Sequence, residues 1–82
     1  MRKRKLYEKV CAGSKNLRFA ELQTLAEAFG YRLKRISGSH HIYEHPAVPV
    51  PLNLQDVHGK AKPYQVDQLL KAVRRFKLPL SE

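Results

Sequence analysis

The sequence predicts an α+β fold in the order α-β-β-β-α. A three-stranded antiparallel sheet carries both helices on one face, and a short basic helical extension precedes it. Three observations predict this. Two stretches with apolar residues at helical spacing bracket a segment in which apolar and polar residues alternate. Glycine and proline mark the boundaries between them. A chain of 82 residues builds one core at most, so residues 1–82 are expected to form a single domain.

Residues 1–15 form the extension. Leu6, Val10 and Cys11 fall on one face of a short helix, whereas the Arg2–Lys5 cluster reads as a solvated basic arm. Gly13, Ser14, Lys15 and Asn16 then break the chain. Phe19, Leu22, Leu25, Ala26 and Phe29 recur at helical spacing, and Gly30 is suited to the left-handed conformation that ends a helix. Tyr31 to Ile36 alternates as a strand, Gly38 marks a tight turn, and His40 to His45 returns as the second strand before Pro46. Val48 to Leu54 contains Pro49 and Pro51, so it fits a sheet only as an edge strand. A polar connection with Gly59 leads to Pro63, which suits the first turn of a helix. Val66, Leu69, Leu70, Val73 and Phe76 form its apolar stripe; Lys71, Arg74, Arg75 and Lys77 take its other faces and its C-terminal end, where cations suit the helix dipole. This layout matches a double-stranded-RNA-binding-domain-like fold, which alone does not establish function.

Sixteen Lys and Arg against seven acids leave a net charge of +9. Such an imbalance draws in polyanions, and nucleic acid is the leading partner class. Solubility alone, or an acidic protein partner, would also account for it. No apolar run approaches the ~20 residues of a membrane span. The basic N-terminus is followed by Leu6-Tyr7-Glu8-Lys9, not by the apolar core of a secretion signal. The lone Cys11 allows no internal disulfide. A cytoplasmic location is expected.

Three of the four histidines, His40, His41 and His45, fall within six residues. Histidine transfers protons near neutral pH. Gly38 lets a backbone approach a phosphate closely, and Ser39 can donate a hydrogen bond to one. The bland alternative is a set of polar surface residues on a hairpin. Zinc is a poorer fit: His41, Tyr43 and His45 project to one face of a strand, Glu44 projects to the other, and the spacing matches no closed zinc motif. Ser39 and His40, as neighbours on a strand, point apart and lack a third orienting group, so protein-based nucleophilic catalysis is weakly supported. Ribonuclease chemistry needs fewer parts, because RNA supplies its own nucleophile, the 2′-hydroxyl. One base and nearby cations suffice, with no metal or other cofactor.

Further residues carry two readings each. Lys60 and Lys62 are candidate phosphate clamps or solvated loop lysines. Arg32 and Lys34 share a face by simple alternation and are candidate phosphate contacts, with Arg35 projecting oppositely. Tyr43 is a candidate base-stacking platform or a core residue.

The run GYRLKRISGSHHIYEHP, residues 30–46, resembles the signature of the HicA toxins: a helix ending in glycine, an aromatic-led strand, Gly-Ser-His, and an aromatic strand ending in His-Pro. KNLRFAELQTLAEAFG, residues 16–30, and NLQDVHGKAKPYQVDQLLKAV, residues 53–73, are similar to a longer HicA-like subgroup. The resemblance implies an mRNA interferase of a bacterial toxin–antitoxin module, with a double-stranded-RNA-binding-domain-like fold. It implies that the catalytic histidine is His40, directly after Gly-Ser, and that the substrate is mRNA. The residues themselves, not the resemblance, offer Gly38, Ser39, His41, Arg32, Lys34, Lys60 and Lys62 as candidate contacts to a single RNA strand. The resemblance also implies a HicB-type antitoxin partner, with DNA contacted only through the antitoxin complex. The sequence departs from the shortest members in its extension and in Asn53-Leu54-Gln55, where they carry a Pro-His-rich segment. Competing expectations are a non-catalytic RNA-binding module, or an inactive toxin serving as half of an autorepressing complex.

Overall fold

A computed structural model describes residues 2–81. Helices α1 (Arg2–Cys11) and α2 (Phe19–Ala28) precede strands β1 (Arg32–Ser37), β2 (His40–His45) and β3 (Val48–Gln55), and helix α3 (Pro63–Phe76) follows. The strands form one antiparallel sheet in the order β1-β2-β3. This is the predicted α-β-β-β-α layout with its N-terminal helix.

Strand alternation turns Tyr43 of β2 and Leu52 and Leu54 of β3 toward the helices, where they are buried. Phe19, Leu22, Leu25, Ala26 and Phe29 of the α2 region and Val66, Leu69, Leu70 and Val73 of α3 close over them in one apolar core. Tyr43 is fully buried, and the Gln23 side-chain amide donates to its hydroxyl at 3.0 Å. Burial pushes the Tyr43 phenol up, against the lowering effect of that hydrogen bond. Of its two sequence readings, the core role is the one observed.

The basic N-terminus differs from the solvated arm expected of it. Arg2–Lys5 is the first turn of α1, which docks through Leu6, Tyr7 and buried Val10. Tyr7 meets Phe29 edge-to-face at 5.1 Å between ring centroids. Cys11, expected on this apolar face, is exposed, and Tyr7 takes its place. An aromatic ring offers α2 far more apolar area than a thiol.

β1 also departs from simple alternation. A β-bulge between Leu33 and Arg35 makes Arg32 pair with Glu44 and Arg35 with Ile42. Glu44 and Ile42 share the face away from the helices, so Arg35 lies on the same face as Arg32 and not opposite it. β3 is an edge strand, as its prolines require.

Gly30 follows the C-terminal end of α2 with φ 97°, and a Cβ there would meet His45 Nε2 at 2.8 Å. That nitrogen donates to the Phe29 carbonyl. Gly30→Ala therefore imposes a left-handed strain of about 1–2 kcal/mol and displaces a hydrogen bond worth about 1 kcal/mol. Its thermal midpoint should fall by roughly 10–20 °C, read by circular dichroism; a shift of only about 2 °C would contradict this packing.

Candidate functional site at the Gly38–Ser39 turn

Ser37 and His40 pair across a two-residue turn made of Gly38 and Ser39. Gly38 has φ 61° and Ser39 is not among the positive-φ residues, the pattern of a type II′ turn with glycine first. This turn sets the phase of β2. His40, Ile42 and Glu44 go to the open face of the sheet, while His41, Tyr43 and His45 go to the helix-covered face.

The histidines thereby acquire different environments. The His45 Nε2–H donates to the Phe29 carbonyl at 2.9 Å, and the Ala47 backbone N–H donates to its Nδ1 at 2.9 Å. Its ring rests against Tyr31 at 5.2 Å. Both nitrogens are occupied, so His45 ties β2 to the end of α2. His41 is half-buried against Phe19, with ring centroids 4.7 Å apart, and its Nδ1–H donates to the Ser39 carbonyl at 3.2 Å. It supports the turn from the covered side. His58 is exposed at φ 52° in the tight turn joining Val57 to Lys60. His40 alone of the four stands on the open sheet face. Its Nδ1 lies 3.1 Å from Asn53 Oδ1. Since the amide oxygen only accepts, Nδ1 carries the proton, and in the neutral ring the lone pair is then on Nε2. Among the described residues, Nε2 has no protein partner. The sequence reading did not include Asn53: it sits on the next strand, one diagonal step from His40, and only the β2–β3 register brings the two together.

A polar scaffold holds the turn from behind. Ser39 accepts from the Asp56 backbone N–H at 2.9 Å through its carbonyl and from the Gln55 side-chain amide at 3.3 Å through its hydroxyl. The Gln55 backbone N–H in turn donates at 2.8 Å to Gln65 Oε1, the buried polar side chain of α3. The Ser39 hydroxyl proton is left to donate elsewhere. Lys60 is exposed, and Lys62 lies at the N-terminal cap of α3 with its ammonium 5.7 Å from the Tyr64 ring centroid. Their loop is stitched to the turn by Asp56 and to α2 by the Phe19 N–H bond to the Gly59 carbonyl.

The bulge places Arg32 and Arg35 on the same face as His40. Neither makes an ion pair among the described residues. Lys34 reaches Glu44 at 3.9 Å, an exposed pair of little energetic weight. Gly38, Ser39 and His40 thus lie at one end of the hairpin, with His41 behind them and Lys60 and Lys62 on the adjoining loop, while Arg32 and Lys34 lie at the other end beside Glu44. No three His, Cys, Asp or Glu side chains converge as a metal site among the described residues.

These assignments separate a structural histidine from an available one. His45→Ala leaves the Phe29 carbonyl and Ala47 N–H without partners and should cost roughly 1–3 kcal/mol. His40→Ala should stay within about 0.5 kcal/mol of the parent. Urea midpoints for the two variants check this; equal losses would contradict it.

Among curated proteins and among solved structures, none matches the chain. The sequence profile of the HicA toxin of bacterial toxin–antitoxin systems matches residues 19–74, from the start of α2 into the last turn of α3. That segment holds the sheet, the turn, His40 and Asn53, and it leaves α1 outside. The chain belongs to the HicA toxin family of bacterial toxin–antitoxin systems.

Proposed function

We propose that this protein is a metal-independent endoribonuclease that cleaves single-stranded mRNA, with His40 as general base, and that a HicB-type antitoxin restrains it. The observation that carries this reading is the His40–Asn53 pair on the open face, which points a free Nε2 lone pair at whatever the face binds. Nε2 takes the proton of an RNA 2′-hydroxyl. The resulting oxyanion attacks the adjacent phosphorus, and the P–O5′ bond breaks. The products are a 2′,3′-cyclic phosphate and a 5′-hydroxyl end, the leaving oxygen being protonated by solvent or a nearby acid. Arg35, which pairs with Ile42 one diagonal step from His40, stabilises the charge on the phosphorane oxygens, and Arg32 and Lys34, farther along β1 beside Glu44, meet phosphates of the flanking strand. Gly38 allows the backbone close to the RNA and Ser39 donates to a phosphate oxygen. His41 holds the turn, and Lys60 and Lys62 grip the flanking strand. Asn53 positions His40 without touching substrate.

Single-stranded RNA incubated with purified protein and excess chelator tests the mechanism. His40→Ala should lose about 10²–10⁴-fold in rate, the usual worth of a general base. Asn53→Ala should lose about tenfold, the equivalent of one hydrogen bond, and Asn53→Asp should recover most of it. Equal cleavage by wild type and His40→Ala would sink the mechanism; salt-sensitive binding without cleavage by either would favour a plain RNA-binding module.

The cations make a separate claim. Replacing both Arg32 and Arg35 by Ala should flatten the plot of log binding constant against log salt by about 1.4, at ~0.7 per phosphate contact on a single strand. Fluorescence anisotropy with a labelled RNA reads this slope, which stays unchanged if neither arginine meets a phosphate.

A further inference from the structure

β1 is finished unlike the rest of the sheet. It is an edge strand, and every one of its residues is exposed. The helices cover β2 and β3 but stop short of it. Leu33 and Ile36 pair with Tyr43 and His41, so they face the helix side of the sheet, yet they are 43% and 56% exposed. A two-residue turn makes Ser37 and His40 a hydrogen-bonded pair, which leaves the next residue, Ile36, with its N–H and C=O directed away from β2. Across the bulge, Leu33 is the other residue of this kind. None of these backbone groups finds a partner among the described residues. The same two residues therefore offer an unpaired backbone and an uncovered apolar side chain. A depression of about 320 Å³ lies beside Leu33, lined with it by Arg32, Lys34, Glu44, His45 and Pro46.

Charge selects the occupant. A second copy of β1 laid along this edge would set Arg32, Lys34 and Arg35 against their own counterparts, and like charges directly opposite destabilise a sheet. The lysine at the bulge further discourages self-pairing. A strand with the opposite charge meets no such barrier. Its residues on the open side of the sheet would face Arg32 and Arg35, and those on the helix side would face Leu33 and Ile36.

We infer that β1 is the docking edge for an extended segment of a partner protein in which acidic side chains alternate with apolar ones, added to the sheet as a fourth strand. The partner's identity, the antitoxin, rests on the function proposed above; the edge and its alternation rest on the geometry alone. The added carboxylates sit on the open face beside the cations that would hold RNA, one strand away from His40. Such a strand opposes RNA binding by charge and need not cover the catalytic ring.

Amide hydrogen exchange by NMR, on the free protein and on its complex with a HicB-type antitoxin, tests the inference. The Leu33 and Ile36 amides should exchange at least about tenfold more slowly in the complex. Ile36→Pro removes only an outward-facing N–H, a substitution that edge strands accept. Together with Leu33→Asp, it should weaken antitoxin binding by about tenfold or more, while thermal midpoint and RNA cleavage stay at the wild-type level. A complex in which both amides exchange as fast as in the free protein, or Ile36→Pro binding at wild-type affinity, would overturn the docking edge and leave the nuclease reading untouched. Protection of the same amides by RNA in place of the antitoxin would assign the edge to substrate and overturn it equally. Failure of the antitoxin to bind would remove both edge and partner, and cleavage by the free chain would then show that the enzyme reading survives alone.

Discussion

A one-residue slip of β2 would carry Tyr43 out of the core and push His40 into it. Strand side chains alternate with a period of two, so no smaller error is available to the strand. Tyr43 is the largest fully buried side chain, and its hydroxyl is met by Gln23. The slipped register would expose that ring and strand the Gln23 amide, a combined loss of several kcal/mol. The core thus enforces which histidine faces solvent. His40 and His41 are adjacent in sequence and alike in chemistry, and only the phase of β2 assigns one to the open face and the other to a place against Phe19.

That phase must also hold where the strand begins, next to a turn open to solvent. Three hydrogen bonds fix it there: Asp56 N–H to the Ser39 carbonyl, the Gln55 amide to the Ser39 hydroxyl, and Gln55 N–H to Gln65. Gln65 is buried with its polar end satisfied, so the helix that supplies apolar mass to the core also sets the height of the turn. The proposed catalytic ring then takes its orientation from Asn53, on a strand that α3 holds down. A proton-transfer group on an exposed hairpin needs this kind of backing, since a ring free to rotate would present its lone pair only part of the time.

Most of the fold was legible because it rests on local periodicity. The stripes Phe19–Phe29 and Val66–Phe76 and the alternation around Tyr43 name their own elements, and Gly30, Gly38 and Pro63 mark the joints. The face assigned to His40 followed from the same alternation. What escaped depended on pairing between distant residues. Asn53 has no significance in its own strand and gains it only from the register of β2 against β3. The face of Arg35 was read wrongly because a β-bulge leaves no local signature in Leu33-Lys34-Arg35, and a single extra residue reverses the alternation beyond it. The helix of the extension was legible from Leu6 and Val10, but its start was not: four cations in five residues suggest a solvated arm, whereas Arg2–Lys5 forms the first turn of a helix that Leu6, Tyr7 and Val10 dock on the core.

The bulge joins the two faces of the argument about charge. Without it, Arg35 would share the helix side of β1 with Leu33 and break the apolar strip there, and Ile36 would move to the open face. With it, β1 sorts its side chains cleanly: cations toward the open surface beside His40, apolar groups toward the uncovered margin of the core. The two sheet edges are then protected by different means. β3 carries Pro49 and Pro51, which withhold N–H groups from any chain, whatever its charge. β1 keeps its donors and relies on repulsion, which excludes copies of itself but not a strand of opposite sign. The cations proposed to hold a polyanion on the open face would also decide which strands the edge accepts. An edge with that selectivity differs from one that is merely unfinished, because its protection lapses only for an acidic partner.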